Sequence, residues 1–297
     1  MIDWLLAPWQ HPFMQHAFIA IILVGIICGA TGVFVTLRGL AFLGDALSHA
    51  IFPGVVIAFI LGGNFLIGAM IAALLVSIGI GAVSQSGRIS NDTAVGVLFV
   101  GAFALGVALM STQSGYVRDL NAFLFGSILG VTTYDLWLTA IVGMVVLGLM
   151  LIFRRELTMI SFDRTFSRAS GLNLWIYDQL FLILLALAIV ISLQTVGNIL
   201  VLAMLVTPAA TARLLTNDLR TMIVQSSVIG ALSGVTGLYV SYYQGVPSGA
   251  AVVLTSTVIF GLVFLFEPRT GAISNRVRRR LHHPHPEQDV FPDTPAI

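Results

Sequence analysis

Residues 17–37 read AFIAIILVGIICGATGVFVTL, with no charged side chain. A helix rises about 1.5 Å per residue, so about 20 apolar residues cross the roughly 30 Å hydrocarbon core of a bilayer. The run is therefore read as a membrane-crossing helix, and the rest of the chain divides in the same way. Eight further apolar runs follow at 40–61, 64–83, 93–112, 135–153, 178–196, 198–215, 222–243 and 248–266. The composition agrees: of 297 residues, 58% are hydrophobic and 9% charged, where a soluble domain carries about 25% charged residues. A cytosolic enzyme, a nucleic-acid binder and a disordered scaffold are set aside on that ground. The expected fold is an all-α integral membrane bundle of about nine transmembrane helices. An eight-helix alternative has to fuse or drop one of the runs.

The ionisable residues narrow the chemistry. All 14 basic residues are arginine and no lysine is present, which excludes a Walker-type phosphate loop, a lysine Schiff base and a kinase catalytic lysine. If ATP is used, a separate chain hydrolyses it, and this chain is not itself an enzyme. The single cysteine, Cys28, lies in an apolar run. It has no partner for a disulfide and reads as a small buried hydrophobe.

The arginines also give an orientation, because positive charge is retained on the cytoplasmic side of a membrane. With nine spans, thirteen of the fourteen arginines fall on one face and only Arg118 on the other. The amino terminus is then outside and the carboxyl terminus inside; eight spans put Arg clusters on the wrong side. Residues 1–16 hold no basic residue, so they make no signal-peptide n-region, and Trp4, Trp9 and Phe13 suit an outer interfacial segment. The stretch NAFLFGSILGV (121–131) is half the length of a crossing and reads as a re-entrant or interfacial piece. Residues 17–266 form the transmembrane domain. The remainder, 267–297, with its prolines and the HHPH run at 282–285, reads as a solvated cytoplasmic tail.

Of the 13 acids all but Asp45 sit at span ends, in loops or in tails, and of the six histidines only His49 lies within the apolar part of a span. Four residues apart on one helix, they point the same way, one turn from each other. An ionisable group in hydrocarbon costs at least about 2.5 kcal/mol and marks a functional position by default. An oxygen ligand beside a nitrogen ligand suits Mn, Fe or Zn better than the all-oxygen sites of Mg or Ca. Two copies of the chain meeting on a two-fold axis would supply four such ligands. Two other readings stand beside this one: a proton relay, and a structural pair that fixes a helix contact. Gly44, Ser48, Pro53 and Gly54 flank the pair, so the helix is expected to break there and free backbone carbonyls to line a cavity. The seventh run contains Pro208, and since a proline inside a membrane helix needs neighbours or water to satisfy the freed carbonyl, the second and seventh helices are expected to face protein or a pathway rather than lipid.

Between the fifth and sixth spans lies SFDRTFSRASGLN (161–173). Phe162, Phe166 and Ala169 recur at helical spacing, Asp163, Arg164, Ser167 and Arg168 occupy the other faces, and Gly171 suits a C-terminal cap. This is a short amphipathic helix, either lying on the headgroups or docking into a groove of a soluble partner.

These segments together carry a resemblance. The run RGLAFLGDALSHAIFPG (38–54) resembles the hallmark segment of the bacterial ABC permeases that import zinc, manganese or iron. It is joined in order by NDTAVGVLFVGAFALGVAL (91–109), DLNAFLFGSIL (119–129), SFDRTFSRASGLN, VGNILVLAMLVTPAATARLLT (196–216) and VPSGAAVVLTSTVIFGL (246–262). The resemblance spans nearly all of 17–266. It implies a type II ABC importer-like bundle that works as a homodimer in the bacterial cytoplasmic membrane. It further implies two ATP-binding cassette subunits holding the ATP, and an extracytoplasmic metal-binding lipoprotein or periplasmic protein. On this resemblance Asp45 and His49 form the ion site, and the 161–173 segment is the coupling helix, with Phe162, Asp163, Phe166, Ala169 and Gly171 at the ATPase contact. It implies no covalently bound cofactor and no nucleic-acid partner. The main rival from another class is a proton-coupled secondary metal transporter using Asp45 and His49 as a relay. That rival predicts uptake without an ATPase and inverted repeats, which are not visible in the sequence.

Overall fold

The computed structural model describes residues 6–85, 89–112 and 128–266. Twelve α-helices are found among them: α1 Pro12–Leu37, α2 Ala41–Ala50, α3 Phe52–Ile60, α4 Phe65–Gln85, α5 Asn91–Ser111, α6 Thr133–Ile152, α7 Arg154–Phe162, α8 Arg164–Ala169, α9 Leu174–Val196, α10 Asn198–Leu215, α11 Leu219–Gln244 and α12 Ser248–Phe266. Short 3-10 turns cover Pro8–Gln10 and Ile128–Gly130. Nine stretches of the described residues are long and apolar enough to cross a membrane, with Ala41–Ile60 counted as one crossing made of α2 and α3. The expected nine-span, all-helical bundle is found. Arg118, the tail 267–297 and residues 121–127 of the proposed re-entrant piece lie outside the described residues.

The bundle is organised around α1 and α9. In each, 78% of an 18-residue apolar stretch is buried, against 17% in α5 and in α12. Those two outer helices therefore face lipid or another chain. α1 packs chiefly on α11 and α10, while α9 packs on α4 and α6. The α1–α11 crossing is made of small residues: a Cβ added at Gly25 would come within 2.7 Å of the Ala231 nitrogen, and one at Gly29 within 2.7 Å of the Ser226 carbonyl. In return Ser226 Oγ donates to the Gly29 carbonyl at 2.7 Å. In lipid, helix association rests on such close backbone approach, since the apolar solvent supplies no hydrophobic drive between helices.

Helix ends follow local chemistry. Thr132 and Asp135 form a reciprocal capping box at the start of α6. Asp218 caps α11, and the Thr221 backbone N–H and hydroxyl hold its carboxyl below the usual carboxylate range. α1 begins at Pro12 rather than at 17, which brings part of the expected interfacial segment into the bundle. Trp9 stacks on Phe18 with centroids 4.6 Å apart, and its indole N–H donates to Tyr239 at 2.8 Å. Phe13 stays exposed, and Trp4 lies outside the described residues.

Candidate functional site

The second crossing breaks between α2 and α3 at Ile51. The cause is Pro53, which has no N–H to offer the carbonyl of His49 four residues back. Asp45 and His49 lie on α2 just before that break. His49 is about 12 Å along the crossing from Ala41 at the usual helical rise, which leaves it near mid-depth.

Asp45 Oδ1 stands 3.6 Å from His49 Nε2, and their side chains are 35% and 34% exposed. That separation is too long for a hydrogen bond. The pair is thus brought together as the i, i+4 spacing predicts, and it faces an open side of this chain, not its core. Phe99 and Phe103 of α5 wall the imidazole, with ring centroids at 5.9 and 5.8 Å. Among the described residues, no third His, Cys, Asp or Glu joins the pair in a group that would hold a metal ion.

A neighbour that sequence reasoning missed is Asn198. Its Nδ2 donates to His49 Nε2 at 3.2 Å, while its Oδ1 is buried without a partner among the described residues. The one sequence signal was the Gly197-Asn198 break between two apolar runs, whose meaning depends on where α10 starts. Gly197 has φ 86° and ψ 166°, a backbone region essentially confined to glycine. It allows α9 to pass into α10 with no loop, so Asn198 becomes the first residue of α10, level with His49.

The 161–173 segment is not one helix. Asp163 adopts an extended conformation (φ −146°, ψ 102°) and splits it into α7 and α8. Its carboxylate accepts from the Phe166 N–H at 2.9 Å, so it caps α8. Short polar side chains compete with the helix in this manner. Phe162 therefore ends α7 and Phe166 lies in α8, with both rings exposed, at 62% and 58%. Ala169 is exposed too, while Ser167 is the residue that α8 buries. Gly171 has φ 80°. The bonds from Leu172 N to the Ser167 carbonyl and from Gly171 N to the Arg168 carbonyl close a Schellman motif.

A buried charge cluster joins α8 to the start of α2. Arg38, just before the turn into α2, donates from Nη1 to Asp178 Oδ1 at 2.8 Å and from Nε to Ser161 Oγ at 3.0 Å. Its guanidinium carbon lies 4.3 Å from the centre of the Phe181 ring. Arg164 of α8 donates to the other oxygen, Asp178 Oδ2, at 2.6 Å. Burial pushes the Arg38 guanidinium down from its usual pKa, the Asp178 carboxylate raises it, and Arg164 lowers it. Asp178 thus holds two arginines, Arg38 at the α1–α2 turn and Arg164 of α8. A cavity of about 720 Å³ opens around this cluster; Ser84, Gln85, Arg168 and Trp175 are among its lining.

The sequence profile of the ABC 3 transport family matches residues 10–267. The chain is 46% identical over 269 residues to the manganese transport system membrane protein MntC of Listeria monocytogenes, covering 91% of this chain and 96% of that one. It is 43% identical to the manganese import system permease protein ScaB of Streptococcus gordonii, covering 90% and 95%. Among solved structures it is similar to PsaBC from Streptococcus pneumoniae in complex with Fab. There the TM-score is 0.80 and the identity 39%, over 94% of this chain and 100% of that one.

Proposed function

The chain belongs to the ABC 3 transport family, and we propose that it is the permease through which an ATP-driven importer passes a divalent transition-metal ion, manganese foremost, into a bacterial cell. The observation that carries this is the Asp45–His49 pair: an acid and an imidazole 3.6 Å apart, on a proline-broken helix, at the open side of the chain. An ion-pair partner buried only for stability belongs in the protein interior. A ligand pair for a passing ion belongs where another surface can complete it. The manganese preference draws on the names of the related proteins, since an oxygen with a nitrogen ligand suits manganese, iron and zinc alike.

In this reading two copies of the chain face each other, and Asp45 and His49 of each replace the water shell of the ion. The ion arrives from an extracytoplasmic binding protein. The amino terminus is outside, the α7–α8 region and the tail inside, and two ATP-binding cassette subunits seat against the exposed Phe162 and Phe166. Movement of α8 reaches the pathway through Arg164, Asp178 and Arg38, because Arg38 immediately precedes the turn into α2. The permease makes and breaks no covalent bond; it binds, excludes lipid and releases.

Asp45→Asn and His49→Ala, each co-expressed with the ATPase and the binding protein, test the reading. Metal uptake falls to background in both, while membrane insertion and recovery of the ATPase with the permease stay at wild-type level. Uptake at wild-type rates in both variants would make the pair structural and end the proposal.

A further inference from the structure

We propose that Asn198 is a third ligand for the transported ion on the same chain, and that its amide oxygen biases the site toward manganese over zinc. The inference rests on the reading of Asp45 and His49 as the ion site. Its starting point is a conflict in the geometry. Asn198 Nδ2 donates to His49 Nε2 at 3.2 Å, and Asp45 Oδ1 faces that same nitrogen at 3.6 Å. When Nε2 turns its lone pair to an ion, the amide loses its acceptor and its N–H group points at a cation.

The other end of the carboxamide resolves the conflict. Asn198 Oδ1 is buried with no hydrogen-bond partner among the described residues. A half-turn of the amide therefore breaks no bond except the one the ion already takes, and it brings an oxygen lone pair to the place the N–H occupied. The two ends of a carboxamide have nearly the same shape, so the turn needs no repacking.

The spacing fits as well. Ligand atoms about 2.1 Å from one ion lie roughly 3.0–3.4 Å from each other, the lower figure for right-angled and the upper for tetrahedral arrangements. Of the separations about His49 Nε2, the 3.2 Å to the Asn198 amide falls within that range, and the 3.6 Å to Asp45 Oδ1 lies just above it, within reach of a small side-chain adjustment. Asn198 is held in place by the backbone, since Gly197 at φ 86° fixes where α10 begins, and Phe99 and Phe103 limit how far the imidazole can swing. A neutral carbonyl oxygen adds a hard ligand without adding charge. It favours manganese over the softer-ligand preference of zinc, and it holds the ion more loosely than a third charged group, which suits a site that must also release.

The test uses the purified permease–ATPase complex. Free manganese is titrated by its electron paramagnetic resonance signal, and zinc by competition with a chromophoric chelator. Asn198→Ala weakens manganese binding at least tenfold and zinc binding less than threefold, and Asn198→Asp, which keeps an oxygen in place, recovers manganese binding to within threefold of wild type. Should the alanine variant not assemble, Asn198→Ser, small and polar but without a carbonyl, carries the same expectation. Equal losses for both metals, or no recovery in Asn198→Asp, would assign the amide a merely structural role and overturn the proposal. So would manganese affinity within threefold of wild type in Asn198→Ala. Asp45→Asn and His49→Ala are titrated alongside. If they lose manganese while Asn198→Ala does not, only the third ligand is wrong; if they too retain it, the ion-site reading itself has failed.

Discussion

Replacing Asp178 with alanine removes the carboxylate that holds both Arg38 and Arg164. The Arg38 side chain is only 7% exposed and that of Asp178 22%, so the pair counts as buried. Taking one partner from a buried ion pair costs about 3–5 kcal/mol, chiefly because the other charge stays in a poor solvent. Arg38 cannot escape by losing its proton, since an arginine side chain stays charged in proteins. Burial, which already pulls its pKa down, would then act without the opposing carboxylate. Ser161 and the Phe181 ring remain in contact with the guanidinium, which places the expected loss at the lower end, about 3 kcal/mol. At about 2–4 °C per kcal/mol for a chain of this size, thermal unfolding in detergent should come roughly 6–12 °C earlier.

Two further variants separate charge from packing. Asp178→Asn keeps an acceptor oxygen and should lose about half as much. Arg38→Met with Asp178→Leu removes both charges, and should regain most of the stability, because apolar replacement of a whole buried pair is often neutral. The assay is the temperature at which half the purified protein leaves its monodisperse chromatographic peak. An Asp178→Ala midpoint within 2 °C of wild type would refute the reasoning, since it would mean that water or a rearranged side chain already compensates Arg38.

Gly32→Ala tests the α1–α10 contact: the added Cβ would overlap the Leu205 carbonyl, and an overpacked site loses about 1–3 kcal/mol, read by the same thermal assay. Gly101→Ala on α5, where a Cβ meets no atom within 4 Å, should leave the midpoint unchanged or raise it. Phe162→Ala with Phe166→Ala should leave the midpoint within 2 °C, since both rings are exposed, yet cut recovery of the ATPase subunit at least tenfold in a pull-down from co-expressing cells. Undiminished recovery would remove the aromatic pair from the docking surface.

The crossings were legible in the sequence because a bilayer imposes one length and one polarity on every span, and nine runs satisfied both. Asp45 and His49 were legible for the same reason: an ionisable residue stands out against hydrocarbon, and spacing along a single helix already places the two side chains together. Asn198 was not, because its contact with His49 spans 149 positions and depends on where the chain reverses at Gly197. An asparagine at the end of an apolar run has many ordinary explanations, and only the packing of α10 against α2 selects one. The break at Asp163 was missed through a rule of local competition. The apolar spacing of Phe162, Phe166 and Ala169 fits one continuous helix, but the Asp163 carboxylate satisfies the Phe166 N–H and starts a new one. The salt-bridge cluster was hidden similarly, since Arg38 and Asp178 are joined by the fold alone.

The two broken places explain one another. In a bilayer every unpaired backbone group costs several kcal/mol, so a proline at 53 and a left-handed glycine at 197 are tolerable only where protein covers them. Here the α2–α3 break and the α9–α10 break sit side by side, joined by the His49–Asn198 bond, so each supplies cover for the other. Side chains near both breaks then meet at a depth where continuous helices would present only apolar faces. A polar contact between three residues of two different crossings is therefore a consequence of where the helices fail. A substitution that restored α-helical continuity within the second crossing, Pro53→Ala, would therefore close the site from the backbone side without touching a single ligand, and metal uptake in that variant should fall while membrane insertion stays at wild-type level.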